Sequence, residues 1–150
     1  MSLSTTVLNT LLNLASNELE LALESIAKAN KMLAEAEEKG KTLQEYRQDY
    51  VDNLAKQLEK GLGKETHNNY QNFLKKLDQA ISGQAEIIIS AQYQVGKERE
   101  LWQEAQRKKL SYDVLLKRKS KKEHHSALKL DQKMMDEYAM RAKPSRAVKL

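Results

Sequence analysis

Few side chains in this 150-residue sequence could support catalysis or metal binding. The chain has three histidines and no cysteine, which excludes a thiol nucleophile and a cysteine-ligated metal site. His124 and His125 are adjacent, and successive residues of a helix point about 100° apart, so a regular helix cannot direct both at one metal ion. His67 lies next to a glycine-containing turn and has no second histidine near it in the sequence.

Phosphate binding and carboxylate catalysis are also poorly supported. The stretch Gly61-Leu62-Gly63-Lys64 lacks the spacing of a phosphate-binding loop, and no strand precedes it. Paired carboxylates such as Glu37-Glu38 fall on the predicted exposed face of a helix, where solvation accounts for them. Two packed helices also offer no enclosed cavity in which pKa values shift or water is excluded. We therefore predict that the protein is not an enzyme and has no catalytic, metal-binding or cofactor-binding residues.

The composition indicates long helices. The sequence contains five glycines and one proline, whereas loop-rich and β-rich folds need many turn-forming residues. No segment approaches the run of about 18 apolar residues that a membrane-spanning helix requires. The N-terminal stretch lacks the basic region of a signal peptide and is typical of an amphipathic helix. We expect an all-α protein located in the cytoplasm.

The basic residues are concentrated near the C-terminus. Residues 117–150 contain 11 basic and 4 acidic residues, whereas residues 1–60 contain 7 basic and 10 acidic residues. Such a segment suits a solvated helix surface, nucleic acid, an anionic membrane or an acidic protein face. The run Lys117–Lys122 has no interleaved aromatic residues, and this weakens the nucleic-acid interpretation because base stacking needs them.

Two heptad repeats divide the chain. Alternating steps of four and three residues from Leu8 to Leu54 meet an apolar residue at twelve of fourteen positions. The same steps from Tyr70 to Leu116 meet an apolar residue at eleven of fourteen. A strict 3.5-residue repeat predicts a coiled coil, and we call these two tracks the seam. Gly61 and its neighbours interrupt the repeat, and a short connection makes the two helices antiparallel neighbours.

The predicted fold is therefore an antiparallel coiled-coil hairpin that forms one domain. Folding the chain at Leu62 pairs seam residues whose numbers sum to 124, although a slip of one heptad, to a sum of 131, fits nearly as well. In the first register Leu116 pairs with Leu8, so the second helix extends past the first at the end that carries both termini. The predicted bounds are a domain over 1–143, a first helix over about 4–60, a turn over about 61–66, a second helix over about 67–143 and a flexible tail over 144–150.

One side of the predicted pair is apolar along its length. The apolar flank consists of the residues next to the seam, namely Phe73, Ala80, Ile87, Leu101 and Leu115 of the second helix with Leu11, Met32 and Tyr46 of the first. The other flank of the second helix is mostly polar. A two-stranded coil cannot bury a flank completely, so these residues either widen the seam or contact a partner. Near the turn the flank gathers aromatic side chains, which are favoured at contact sites.

Two motifs and Trp102 resemble a known family. The first motif is Tyr46-x-x-x-Tyr50 followed by Asn69-Tyr70-Gln71-x-Phe73-x-x-x-Leu77-x-x-Ala80-Ile81-x-x-Gln84. The second is Leu130-Asp131-Gln132-Lys133-x-Met135-Asp136-Glu137 followed by Ala139 and Arg141. Both are similar to the FliJ family, the coiled-coil component of the bacterial flagellar protein-export apparatus. The second motif is more specific than any match between heptads, since coiled coils resemble one another easily.

The resemblance implies partners and contact residues. Family members form a long antiparallel coiled coil similar to the central stalk of rotary ATPases. They associate with the hexameric flagellar export ATPase, the cytoplasmic part of the membrane-embedded export gate and some export chaperones. The family's gate-contacting cluster corresponds here to Leu43, Tyr46, Tyr50, Phe73, Leu77, Ala80 and Gln84. Lys39, at the rim of this cluster, stands where some relatives carry glutamine. The segment expected at the ATPase comprises Asp131, Gln132, Lys133, Asp136 and Glu137.

The sequence thus predicts a non-enzymatic stalk of the flagellar type III export apparatus. We expect it to be cytoplasmic, to associate peripherally with the inner membrane through the apparatus, and to escort export chaperones. Two alternatives remain open at this stage. One is the equivalent stalk of a virulence type III secretion system, and the other is a basic coiled coil that binds nucleic acid through Lys117–Lys122.

Overall fold

Two long helices make up the described part of the molecule. The computed structural model describes the backbone of residues 4–147 and the side chains of residues 4–142. Within these residues the chain forms α1, Thr5–Glu59, and α2, Lys64–Ala147, and no strand. The predicted helical hairpin is thereby confirmed. The bounds of α2 differ from the predicted ones. This helix begins three residues earlier than predicted and includes residues 144–147 of the predicted tail. Residues 148–150 of that tail lie outside the described residues.

The turn between the helices depends on glycine. Gly61 has a φ of 82°, a left-handed conformation that ends helices and that residues with a Cβ rarely adopt. Its amide donates a hydrogen bond of 3.2 Å to the carbonyl of Leu58, which closes the last turn of α1. The carbonyl of Gly63 accepts a hydrogen bond of 3.0 Å from the amide of His67, which opens α2. The reversal therefore takes only the few residues between α1 and α2.

The described chain forms two compact units. One contains residues 4–19 and 105–147, and the other contains residues 20–104. In each unit α1 and α2 pack through the predicted seam, and every one of the twenty-eight seam positions is buried or partly buried. The prediction of a single domain over 1–143 stays a prediction. The most buried apolar residues are Leu8, Ala15, Ala29, Ala36, Leu54, Leu77 and Val95.

Contacts in the unit of residues 20–104 fit the register in which paired numbers sum to about 124. The side-chain amide of Asn53 hydrogen-bonds to the hydroxyl of Tyr70 at 3.3 Å, and Arg47 forms an ion pair with Asp78. In the alternative register, in which the numbers sum to 131, neither pair would be at the same level. The first register is therefore the one that this unit adopts.

A buried glutamine occupies the seam in this unit. Gln84 is 5% exposed, and its Nε2 donates a hydrogen bond of 2.9 Å to the backbone carbonyl of Ala36. A Cβ at Gly40 would lie 3.1 Å from Cδ1 of Ile88 and 3.7 Å from Cγ of Gln84, so the glycine leaves room for both side chains. A polar group in an apolar seam needs such a partner, since burial without one is costly.

Neither helix could cross a membrane over the described residues, because no stretch in them combines sufficient length with sufficient hydropathy.

Candidate partner-binding site

Four aromatic residues on α1 and α2 form a cluster near the turn. We define the aromatic cluster as Tyr46, Tyr50, Tyr70 and Phe73. The ring centroid of Tyr50 lies 4.9 Å from that of Tyr70 and 4.3 Å from that of Phe73, with interplanar angles of 46° and 32°. Such tilted contacts stabilise aromatic pairs beyond the area that they bury. Tyr50 and Tyr70 occupy seam positions and are partly buried, whereas Tyr46 is 61% exposed and Phe73 is 46% exposed.

A shallow groove opens beside the aromatic cluster. Its volume is about 520 Å³, and its lining residues are Tyr46, Asp49, Tyr50, Asn53, Phe73 and Leu77. Most of this lining is apolar, and Asp49 and Asn53 contribute polar groups at α1. The amide of Asn53 is held by the hydroxyl of Tyr70 at 3.3 Å, which fixes both side chains across the two helices. The groove can accept an apolar side chain of a partner and offers oxygen acceptors next to it.

The opposite flank carries an ion pair instead of an apolar surface. Arg47 donates a hydrogen bond from Nε to the carboxylate of Asp78 across the two helices. This hydrogen bond and the charge of Asp78 raise the pKa of Arg47 further above its ordinary value, so the guanidinium stays charged. Both side chains are exposed, at 40% and 52%, and an exposed pair of this kind contributes little to stability. The two side chains are at the same level on α1 and α2 only in the observed register.

The structure brings together only some of the seven residues predicted to contact the gate. Tyr46, Tyr50, Phe73 and Leu77 line the groove. Leu43 is partly buried in the seam, and Ala80 is exposed on α2. Leu77 and Gln84 are the buried members, at 8% and 5% exposure. As contact residues all seven stay a prediction.

Three residues in or next to the groove are not in the predicted set of contact residues. They are Asp49, Asn53 and Tyr70, of which the first two line the groove and the third contacts the ring of Tyr50. For two of them, the sequence pattern indicates a position at or near this surface. Asn53 occupies the same heptad position as Tyr46, and Tyr70 is the first seam residue of the second track and part of the quoted motif.

The five residues predicted to contact the ATPase lie in a different part of α2. Asp131, Gln132, Lys133, Asp136 and Glu137 are all exposed, as is every residue from 121 to 141, which we call the exposed α2 segment. Nε2 of Gln132 donates a hydrogen bond of 3.0 Å to Oδ1 of Asp136 one turn later. The segment is part of the unit that contains residues 4–19 and 105–147.

The exposed α2 segment is amphipathic. Its helical spacing collects most of its large apolar residues on one half of the helix, whereas Lys122, Lys129 and Lys133 lie on the other half. An apolar face of this size on a solvated helix is typical of a surface that docks to another protein. The exposed apolar residues are Leu128, Leu130, Met134, Met135, Tyr138 and Met140, with exposures from 54% to 77%.

Among the described residues, no group of three or more His, Asp or Glu side chains is placed so that it could hold a metal ion. His124 and His125 are exposed on α2. Nδ1 of His67 is enclosed beside the turn without a hydrogen-bond partner.

Comparison with known proteins gives a consistent result. Residues 4–146 match the family model described as Flagellar FliJ protein. The curated Flagellar FliJ protein of Escherichia coli (strain K12) is 30% identical over 135 residues, covering 90% of this chain and 92% of the relative. The Flagellar FliJ protein of Salmonella typhi is 28% identical over 135 residues, which also cover 90% of this chain and 92% of the relative. No solved structure shows a significant match to the chain.

Proposed function

The chain belongs to the FliJ family of flagellar export components, and we propose that it couples the export ATPase hexamer to the cytoplasmic part of the export gate. In this proposal the protein catalyses no reaction itself and acts by binding. It works in the cytoplasm and reaches the inner membrane only through the apparatus. The flagellar names of both relatives favour this function over the equivalent stalk of a virulence secretion system.

The aromatic cluster is the surface that we assign to the gate. The single observation that carries this assignment is the open groove of about 520 Å³ between exposed Tyr46 and exposed Phe73. The ring of Tyr50 contacts the ring of Phe73 and holds that side of the groove in place, so the surface needs little rearrangement before it binds. Large aromatic side chains that surround a pocket are the residues that most often dominate binding energy.

We assign Leu43, Leu77 and Gln84 to the support of this surface and Ala80 to its continuation along α2. Leu77 lines the groove and is buried, and Leu43 is partly buried in the seam. Gln84 is bonded to the Ala36 carbonyl and fixes α2 against α1 one heptad away from Leu77. These residues act by holding Tyr46 and Phe73 in place.

The exposed α2 segment is the surface that we assign to the ATPase. Its apolar half, which includes Met134 and Tyr138, provides the area that a tight contact needs, and Asp131, Gln132, Lys133, Asp136 and Glu137 provide charge and hydrogen bonds around it. The escort of export chaperones is part of the proposal, although we assign no residues to it.

The test is to measure both interactions with purified proteins. The unmodified protein should bind the isolated cytoplasmic part of the gate and should stimulate assembly and ATP hydrolysis by the export ATPase. Changing Tyr46→Ala with Phe73→Ala should weaken only the first interaction, and Met134→Ser with Tyr138→Ser should weaken only the second. A protein that neither binds nor stimulates the ATPase would refute the proposed function. Restoration of swimming in cells that lack the native gene provides the cellular readout.

A further inference from the structure

We propose that the gate-binding surface continues from the aromatic cluster along the same side of the helix pair, into a second groove beside Met32 and Ile87. The occupant that we infer is one amphipathic α-helix of the export gate, with acidic residues next to its apolar face. This inference rests on the proposed function, because it assigns the chemistry of the gate segment that binds there. All the residues concerned belong to the unit of residues 20–104.

The second groove has an apolar wall on each helix. Its volume is about 290 Å³, and its lining includes the apolar Met32 and Ala36 of α1 and the apolar Ile87 and Ala91 of α2, together with the polar Ser90. Met32 is 58% exposed and Ile87 is 54% exposed, although both are large and apolar. Exposed side chains of this type on either side of a groove are typical of a surface that receives a partner's helix.

The two grooves are in line with each other. Met32 precedes Tyr46 by fourteen residues, and Phe73 precedes Ile87 by fourteen residues, so each pair is separated by two heptads. Residues two heptads apart in a coiled coil lie on the same side, and fourteen residues of helix span about 21 Å. A partner helix of about four turns therefore reaches both grooves, and a heptad repeat in that helix would supply an apolar residue to each.

Small residues lie between the two grooves. Ala80 is midway between Phe73 and Ile87, and Gly83 is three residues after Ala80 and four before Ile87, which places all of them on one face of α2. A Cβ at Gly83 would meet nothing within 4 Å. A glycine inside a helix reduces stability, and no contact within the described chain requires this one. Its small size leaves room for the backbone of a third helix to approach.

The charges around the grooves favour an acidic occupant. By heptad position, the charged residues on this side of the helix pair are Lys28, Glu35, Lys39 and Asp49 of α1 with Lys76 and Lys97 of α2. Four of these six are cations, and Lys39 lies midway between the two grooves on α1. Complementary charges across an interface fix the register and disfavour wrong partners. A second copy of this chain offers a poorer match, since its own exposed α2 segment follows the basic run Lys117–Lys122.

The deciding experiment compares two glycine substitutions in binding to the purified cytoplasmic part of the gate. Gly83→Leu adds a side chain between the grooves, whereas Gly96→Leu adds one to the face of α2 that points away from Ile87. Neither glycine has a neighbour within 4 Å of its Cβ position, so both variants should fold with an unchanged or higher thermal midpoint. We expect Gly83→Leu to weaken gate binding by roughly tenfold or more and Gly96→Leu to leave it within about twofold.

A second pair of variants separates this inference from the proposed function. Met32→Ser with Ile87→Ser should weaken gate binding by roughly tenfold, because it removes both apolar walls of the second groove. If Tyr46→Ala with Phe73→Ala abolishes binding while the variants at Met32, Ile87 and Gly83 bind normally, the extension is wrong and the gate site is limited to the aromatic cluster. If the unmodified protein does not bind the gate, the proposed function and the extension both fail.

Crosslinking identifies the occupant directly. The chain has no cysteine, so a single cysteine introduced at Asp49 or at Ser90 can carry a photoactivated crosslinker at one groove only. We expect both positions to react with one segment of the gate, at sites about fourteen residues apart. Crosslinks to two unrelated gate segments, or to a second copy of this chain, would overturn the proposal.

Discussion

The aromatic cluster and the exposed α2 segment both present apolar side chains to solvent, but they do so on different supports. Around the cluster, α1 and α2 pack together, and Tyr50 contacts both Tyr70 and Phe73. In the exposed α2 segment every side chain from 121 to 141 is exposed. A surface carried by two packed helices is already in its binding conformation, whereas a solvated helix must be held straight by its partner. The first should behave as a rigid contact and the second as one that gains order on binding.

The largest expected effect concerns the rigid contact. Tyr46→Ala with Phe73→Ala should weaken binding to the cytoplasmic part of the gate by at least about 100-fold, because two aromatic anchors of one groove are lost. The thermal midpoint should change little, since both side chains are about half exposed. Titration calorimetry and thermal unfolding followed by circular dichroism measure the two quantities. A large loss of stability would show that these residues mainly widen the seam.

The matching change in the exposed α2 segment should have a smaller effect on binding and none on folding. Met134→Ser with Tyr138→Ser should weaken binding to the export ATPase by roughly tenfold, because the hydrophobic effect there is partly offset by the cost of ordering the segment. Unfolding should be unchanged within error, since both side chains are more than half exposed. A destabilised variant would mean that this face packs within the protein, and the contrast between the two surfaces would disappear.

Two glutamines allow the same comparison for hydrogen bonds. Gln84→Ala should lower the free energy of unfolding by about 1–2 kcal/mol, because it removes a buried hydrogen bond and leaves a gap between α1 and α2. Gln132→Ala should change it by less than about 0.5 kcal/mol, because its bond to Asp136 lies on the solvated surface. Urea unfolding of both variants provides the measurement. Equal effects would show that the seam glutamine has no special role.

Much of the fold follows from the sequence for a simple reason. The 3.5-residue period is set by which side chains can be buried between two helices, so all seam positions from Leu8 to Leu116 could be recognised. The register could not be recognised in the same way, because a slip of one heptad again places apolar residues opposite each other. The hydrogen bond from Asn53 to Tyr70 and the ion pair of Arg47 with Asp78 distinguish the two registers, and both depend on atomic positions.

The candidate site was only partly predictable for a related reason. The apolar flank marked Tyr46 and Phe73, since period and hydropathy are sufficient to place them on one side. Whether a flank residue lines a groove depends on how neighbouring rings tilt, and heptad position does not indicate the contact of Tyr50 with Tyr70. Heptad position alone also did not show that Gln84 would be buried and bonded, because polar residues in a seam often point outward.

Substitutions of glycines in the packed helices should have small effects on stability, and they test how rigid that support is. Gly83→Ala should raise the free energy of unfolding by about 0.5–1 kcal/mol, because alanine favours helix and its Cβ meets nothing. Gly40→Ala should raise the free energy of unfolding by less than Gly83→Ala does, or should lower it, because its Cβ would lie 3.1 Å from Cδ1 of Ile88. Urea unfolding of the two variants measures the difference. If Gly40→Ala stabilises the protein as much as Gly83→Ala does, the side chain of Ile88 can move aside at little cost in free energy. The packed region would then be less rigid than its contacts indicate.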